Sequence, residues 1–153
     1  MAATRQARAV WEGDLMKGSG EVTGISSRRF TGLGVSWGAR TESPQGKSSP
    51  EELLAAAHAS CFAMALSADL GKSGTPPRKL DVTSTVTFDK VADKWTVVSS
   101  ELEVTGDVPG SDADSFRKAA EGAKENCPIS RALKNNVKLS VNATLVSEGA
   151  AVR

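Results

Sequence analysis

The feature that most constrains the fold is the segment 48–70, SSPEELLAAAHASCFAMALSADL. A run this rich in alanine and leucine predicts a helix of about five turns, which ends near Leu70 because GKSGTPP follows. Ser49 as N-cap, Pro50 at N1 and Glu52 at N3 match a capping box, in which the serine oxygen and the glutamate carboxylate each accept a backbone N–H. Because the segment is apolar on most sides, we expect the helix to be buried centrally.

Turn-rich and alternating segments surround this helix. ARAVWEG, GEVTGIS and LGVSWGAR predict three short strands before it. LDVTSTVTFDKV and KWTVVSSELEVTGDV predict an antiparallel hairpin that turns near ADK. A helix capped by Ser111 or Asp112, a second short helix from Pro128, and a last strand in VKLSVNATLVS complete the order βββ-α-ββ-αα-β. This order predicts an α+β fold in a single domain, residues 1–153, with a frayed tail at about 148–153.

The charge balance limits the classes of partner. The chain has 19 basic and 18 acidic side chains and a net charge of +1, without a long block of one sign. We therefore expect small molecules and other proteins as partners, and neither nucleic acid nor membrane. The segment Leu53 to Leu70 contains His58 and Asp69 and is at the lower length limit for a membrane span. MAATRQARAVWEGD lacks the apolar run of a secretory signal, so a cytoplasmic location is expected.

The two cysteines, Cys61 and Cys127, are the candidate reactive groups. His58 and Cys61 share a helix face, but with Cys127 they make three donors, one fewer than a structural zinc site uses. We therefore expect no metal, and no cofactor either, because no glycine-rich stretch follows a strand and opens a helix. A small buried hydrophobic residue remains the alternative interpretation for Cys61, since this is the usual role of a free cysteine.

The surroundings of the two thiols differ. Cys127 precedes Pro128 at a helix start, where unpaired N–H groups favour a thiolate, so it is a candidate reactive or resolving thiol. The apolar neighbours of Cys61 raise its pKa, so a reactive Cys61 requires a nearby cation. His58 titrates near neutrality, whereas an arginine is charged at any relevant pH. The pattern alone does not decide which arginine supplies the charge.

Two long motifs carry a resemblance to a known family. SPEELLAAAHASCFAMAL, followed by NCPISRAL, closely resembles the OsmC/Ohr family of thiol peroxidases. AVWEGDLMKGSGEV, GVSWGAR and the closing strand also fit, so the resemblance covers nearly the whole chain. The histidine at position 58 is similar to the OsmC branch, since the organic hydroperoxide resistance branch usually has an aromatic residue there. The resemblance implies an OsmC-like fold and an intertwined homodimer, with two central helices buried and a site at each end of the interface.

The resemblance also implies roles for individual residues. It makes Cys61 the peroxidatic thiol, Cys127 the resolving thiol, Arg40 the cation and Glu51 the partner of that cation. The loop from Arg40 to the long helix is about one residue longer than the family pattern, so Arg28 and Arg29 stay open as alternatives for the cation.

The implied activity is reduction of organic hydroperoxides and, more weakly, of hydrogen peroxide. Cys61 becomes a sulfenic acid and condenses with Cys127 to a disulfide, which an external dithiol reduces. A non-enzymatic redox sensor, or a binder of small apolar ligands with the same fold, is the alternative. Ten residues of helix put Glu51 about 15 Å from Cys61 along the axis, so a Glu51 that serves the same peroxide comes from a second chain. For His58 we favour a structural role, as a polar group in the core or at the rim of the site.

Overall fold

The structure is a computed structural model that describes residues 1–146. It divides into two compact units, Met1–Leu53 and a second unit that begins at Leu54. The tail expected at 148–153 lies outside the described residues. The elements in chain order are β1 (Ala7–Glu12), β2 (Ser19–Gly24), β3 (Leu33–Val35), α1 (Trp37–Thr41), α2 (Pro50–Lys72), β4 (Lys79–Val91), β5 (Lys94–Asp107), α3 (Ala113–Asn126), α4 (Pro128–Leu133) and β6 (Lys138–Leu145). The expected order is thus confirmed, with one added helix.

The added helix, α1, replaces the second half of an expected strand. In the first unit, β1, β2 and β3 form an antiparallel meander in that order. β3 stops at Val35 because the next residue, Ser36, accepts the backbone N–H of Ala39 with its hydroxyl at 3.2 Å and caps a helical turn. The expectation that LGVSWGAR is a strand throughout was therefore wrong after Val35. A serine N-cap is a local signal that the β-prone composition of this segment concealed.

The second unit contains a sheet in the order β4-β5-β6. β4 and β5 form the expected antiparallel hairpin, and its turn residues Ala92 and Asp93 both have positive φ angles, 47° and 62°. β6 pairs with β5 in parallel, so α3 and α4 form the crossover between these two strands. Asp112 is the cap of α3, since its carboxylate accepts the Ser115 N–H at 2.9 Å.

The start of α2 follows half of the expected capping box. Ser49 Oγ accepts the backbone N–H of Glu52 at 3.1 Å, as expected. The Glu52 carboxylate does not reach back to the N–H of Ser49; it accepts the hydroxyl of Ser48 at 2.6 Å instead. The Ser48 hydroxyl, four residues earlier in the chain, competes with the backbone N–H for the carboxylate. The helix ends at Lys72, shortly before Gly74, whose φ is 82°.

Two faces of α2 differ in burial. The buried face repeats every four residues and packs against β5 and α3; it comprises His58, Phe62, Leu66 and Leu70. An exposed face repeats with the same spacing and comprises Ala56, Ser60, Met64 and Ala68. Within one chain the helix is therefore buried on one side only.

The close packing of α3 on β5 depends on one glycine. A Cβ at Gly106 would lie 2.4 Å from Phe116 Cζ, so any larger residue would displace the Phe116 ring from the core. Among the described residues, α2 is the helix with the length and apolar composition of a membrane span, a test that core helices of soluble proteins also pass.

Candidate active site

The two thiols come together in the second unit. Cys61 lies on α2 and is partly buried, whereas Cys127 is the N-cap residue of α4 and is fully buried. Cys127 lies close enough to Cys61 to raise the pKa of its thiol, although 65 residues separate them in the chain. Two free cysteines that interact in this way are a candidate redox pair.

The pKa of the Cys61 thiol is set by competing effects. Burial raises it above its ordinary value, and the neighbouring Cys127 raises it further. The backbone N–H of Ile129, in the first turn of α4, donates to the Cys61 sulfur and lowers it. The expected effect of apolar surroundings on Cys61 is thus present. A backbone N–H of this helix start thus lowers the pKa of Cys61.

Arg40 and Glu51 form an ion pair within the first unit. Arg40 Nε lies 3.0 Å from each carboxylate oxygen of Glu51, and Nη2 lies 2.7 Å from Oε1. The side chain of Glu51 is 9% exposed and that of Arg40 is 29% exposed. The guanidinium also lies 5.9 Å from the Trp37 ring centroid, a cation–π distance. A bidentate pair of this kind fixes the plane of the guanidinium.

The alternative arginines are placed differently. Arg28 and Arg29 lie between β2 and β3, and both are exposed. The guanidinium that contacts Glu51 is that of Arg40, which sits in the last turn of α1 while Glu51 sits in the first turn of α2. The added helix α1 is therefore the element that brings this arginine to its carboxylate.

An apolar cleft of about 360 Å³ lies beside Arg40 in the first unit. Its lining residues are Trp11, Leu15, Val35, Ser36, Trp37, Arg40 and Pro50. One charged group in an otherwise apolar wall suits a ligand with a polar head and an apolar body.

His58 is buried in the second unit with polar partners. Its Nδ1 lies 2.6 Å from Ser100 Oγ and its Nε2 lies 2.8 Å from Ser130 Oγ. Ser100 Oγ is in turn 3.1 Å from Ser84 Oγ. Burial lowers the pKa of His58 below its ordinary 6.5, so the ring is neutral at pH 7. The structure thus places His58 in the core of the second unit.

The three serines were not singled out from the sequence. Ser84 and Ser100 occupy inward-facing positions of strands whose other inward residues are mostly β-branched or leucine, a weak signal for a buried polar partner. Among residues 1–146, no three His, Cys, Asp or Glu side chains are grouped to hold a metal ion.

Comparison with known proteins identifies the family. The family model described as OsmC-like protein matches residues 43–142. The peroxiredoxin OsmC of Escherichia coli strain K12 is 37% identical over 142 residues, covering 91% of this chain and 96% of the relative, and the peroxiredoxin OsmC of Shigella flexneri matches to the same extent. The chain belongs to the OsmC family.

Solved structures support the fold of this OsmC-family protein. The organic hydroperoxide resistance protein OhrB of Bacillus subtilis superimposes with a TM-score of 0.72 at 20% identity, over 91% of this chain and 98% of that one. An OsmC-like protein of Mycoplasma pneumoniae gives 0.70 at 18% identity, over 96% and 100% of the two chains. The expected OsmC-like α+β fold is therefore confirmed.

Proposed function

We propose that this OsmC-family protein is a thiol peroxidase that reduces organic hydroperoxides and, more weakly, hydrogen peroxide, with residues 1–153 acting as one domain in the cytoplasm. The proximity of the two free cysteines, Cys61 and Cys127, is the observation that carries the proposal, because it pairs an attacking thiol with a resolving one. The peroxiredoxins to which the chain is 37% identical support an enzyme of the thiol-dependent peroxidase class.

The reaction needs two thiols and one external reductant. The Cys61 thiolate attacks the terminal oxygen of the hydroperoxide, the S–O bond forms, the O–O bond breaks, and the alkoxide leaves as an alcohol with the thiol proton. Cys61 is then a sulfenic acid, which Cys127 converts to a disulfide with release of water. An external dithiol reduces the disulfide and is oxidised in turn.

Arg40 is the proposed cation of the site. A guanidinium lowers the pKa of a nearby thiol and donates hydrogen bonds to the departing oxygen, and Glu51 fixes its orientation. Glu51 and Cys61 are ten residues apart on one helix, about 15 Å along the axis. We therefore propose that Arg40 and Glu51 of one subunit serve Cys61 of a second copy, so that a homodimer contains two complete sites.

The exposed face of α2 supports this dimer. Ala56, Ser60, Met64 and Ala68 form an uncharged stripe along the helix, and 22% of the most apolar part of α2 is buried within one chain. Small residues at four-residue spacing allow two helices to approach closely, and pairing would bury Met64, which is 68% exposed.

The cleft beside Arg40 supports organic hydroperoxides as the preferred substrates. Its walls include two tryptophan side chains and are mainly apolar. An alkyl or aryl group buried there contributes binding energy that hydrogen peroxide lacks, about 25 cal/mol per Å² of apolar surface.

Turnover is the first test of the proposal. With a dithiol present, we expect the protein to consume many equivalents of cumene hydroperoxide, and Cys61→Ser to consume none. Cys127→Ser should react once and then over-oxidise at Cys61, because no thiol is left to capture the sulfenic acid. A wild-type protein that consumes a single equivalent would instead be a redox sensor.

Mixing two inactive variants tests the shared site. Arg40→Ala and Cys61→Ser are unfolded together and refolded, so that subunits exchange. If Arg40 serves the partner's thiol, each mixed dimer holds one complete site, and activity should recover to about one quarter of wild type. If the refolded mixture is as inactive as each variant alone, the site is not shared, and Arg40 and Cys61 of the same chain act together.

A further inference from the structure

A chain of side-chain hydrogen bonds lies in the second unit next to the thiol pair. It runs from Ser84 to Ser100, from Ser100 to His58 and from His58 to Ser130, with distances of 3.1, 2.6 and 2.8 Å. His58 and Ser100 are fully buried and Ser130 is 1% exposed. The peroxide chemistry proposed above uses none of these groups, although polar groups are rarely buried without a role in position or in chemistry.

The His58–Ser130 pair and the Cys61–Cys127 pair have the same spacing along the two helices that they connect. His58 and Cys61 are three residues apart on α2, and Cys127 and Ser130 are three residues apart at α4. His58 hydrogen-bonds to Ser130 at 2.8 Å and Cys61 lies near Cys127, so the two helices run antiparallel here with the two pairs about 4.5 Å apart along each axis. Two contacts fix a short helix against rotation, which one contact does not.

Helix α4 depends on such contacts for its position. It has six residues, and Cys127 makes no side-chain hydrogen bond to cap it. A helix this short is not stable by itself in water, so tertiary contacts decide where it lies. Its contacts to α2 include the Ile129 N–H on the Cys61 sulfur and the Ser130 hydroxyl on His58.

We propose that His58 is a positioning residue for the resolving step: it holds Ser130, and thereby keeps α4 and Cys127 beside the sulfur of Cys61. The inference rests on the proposed function. In this step the Cys127 sulfur attacks the Cys61 sulfenic sulfur, the S–S bond forms, the S–O bond breaks, and hydroxide leaves with the thiol proton as water. Because the Cys127 sulfur attacks in line with the S–O bond, the sulfenic oxygen leaves on the side away from Cys127, and the Ser130 contact keeps α4 in place for this attack.

The test measures separately the formation of the sulfenic acid at Cys61 and the formation of the Cys61–Cys127 disulfide. The variants are Ser130→Ala, His58→Leu and His58→Gln. Ser84→Ala is the matched control, because it removes a serine hydroxyl from the other end of the same series of hydrogen bonds. Each protein is mixed with one equivalent of cumene hydroperoxide. Sulfenic acid is trapped with dimedone, and the disulfide is followed by quenched mass spectrometry.

The expected result is selective. Ser130→Ala and His58→Leu both remove the His58–Ser130 hydrogen bond and should slow disulfide formation about tenfold, the expected effect of losing that one buried bond. Sulfenic acid formation should stay within about twofold of wild type, as should both steps in Ser84→Ala. His58→Gln should restore most of the resolving rate, because an amide can both donate to and accept from the two serines. The slow variants should also accumulate more sulfinic acid at Cys61.

Three results would overturn the inference: wild-type resolving rates in Ser130→Ala, equal slowing in Ser84→Ala, or slowing of both steps alike in His58→Leu with no rescue by glutamine. If His58→Leu does not fold, Ser130→Ala and His58→Gln decide the matter.

A second oxidant keeps the inference independent of the proposed peroxidase activity. If wild type forms no sulfenic acid with peroxide, the proposed function fails, and the same variants are oxidised with diamide, which takes up two electrons and two protons from a dithiol. Slower Cys61–Cys127 disulfide formation in Ser130→Ala but not in Ser84→Ala would still support positioning by His58. Equal rates would refute it.

Discussion

At the scale of single residues, Glu51 shows how a carboxylate acts through another side chain. It is buried and binds Arg40 through two guanidinium nitrogens. Glu51→Gln keeps the size but removes the charge and one acceptor, so we expect the rate of Cys61 oxidation by cumene hydroperoxide to fall on the order of tenfold or more. Stopped-flow measurement of that rate is the test. Glu52→Gln, one residue later and exposed, is the control and should react like wild type.

A second prediction at this scale concerns His58, the one histidine of the chain. Burial lowers its pKa, so below pH 6.5 the unfolded chain binds a proton that the folded chain does not. The stability that His58 contributes is therefore present above pH 6.5 and is lost as the pH falls toward the lowered folded-state pKa. His58→Gln should remove this dependence. Urea denaturation of both proteins at several pH values in this range gives the free energy of unfolding. The prediction is contradicted if this free energy depends on pH in the same way in wild type and in His58→Gln.

Reasoning from sequence reached some of these residues and missed others. The type and spacing of Cys61 and Cys127 marked them as candidates, and the family resemblance supplied the pairing of Arg40 with Glu51. Ser100 and Ser130 escaped notice because they lie 42 and 72 residues from His58 in the chain. Serine is common in strands and short helices, so nothing local distinguishes one that will meet a buried imidazole.

At the scale of elements, the hairpin turn between β4 and β5 departs from the best turn chemistry. Ala92 and Asp93 both adopt left-handed conformations, where Asn-Gly is the favoured pair. We expect the double variant Ala92→Asn/Asp93→Gly to raise the free energy of unfolding by about 1 kcal/mol. Ala92→Val should lower it, because a β-branched residue is the least suited to this conformation. Urea denaturation ranks the three proteins, and any other order would argue against turn strain.

Elements with local signals were the ones that the sequence predicted well. The serine cap and Pro50 defined the start of α2, and alternation defined the long strands. The short helix α1 was missed because its five residues are mostly β-prone or flexible, and only the Ser36 hydroxyl marks its start. The parallel pairing of β6 with β5 depends on tertiary contacts, and the alternation of apolar and polar residues in a strand does not specify its direction.

At the scale of the whole molecule, the exposed stripe of α2 is the basis for a prediction about assembly. Met64→Asp places a charge on the face that the proposed dimer buries, where an unpaired carboxylate is strongly unfavourable. We expect the mass in solution to fall to that of a monomer and the peroxidase activity to be lost with it, measured by light scattering after size exclusion. Met64→Leu should remain a dimer. If Met64→Asp remained a dimer with full activity, the dimer interface would not include this face of α2.

The parallel pairing of β5 with β6 also bears on the order in which a newly made chain acquires its parts. α3, which packs on β6, and α4 both lie in the crossover between these strands, so Cys127 is carried to Cys61 by a segment that is anchored only after the last described strand has been made. While that strand is still in the ribosome, a nascent chain carries the Cys61 thiol on a finished helix without a docked partner for it. The resolving thiol therefore reaches Cys61 only after β6 has been made, and until then a sulfenic acid at Cys61 has no neighbouring thiol to capture it.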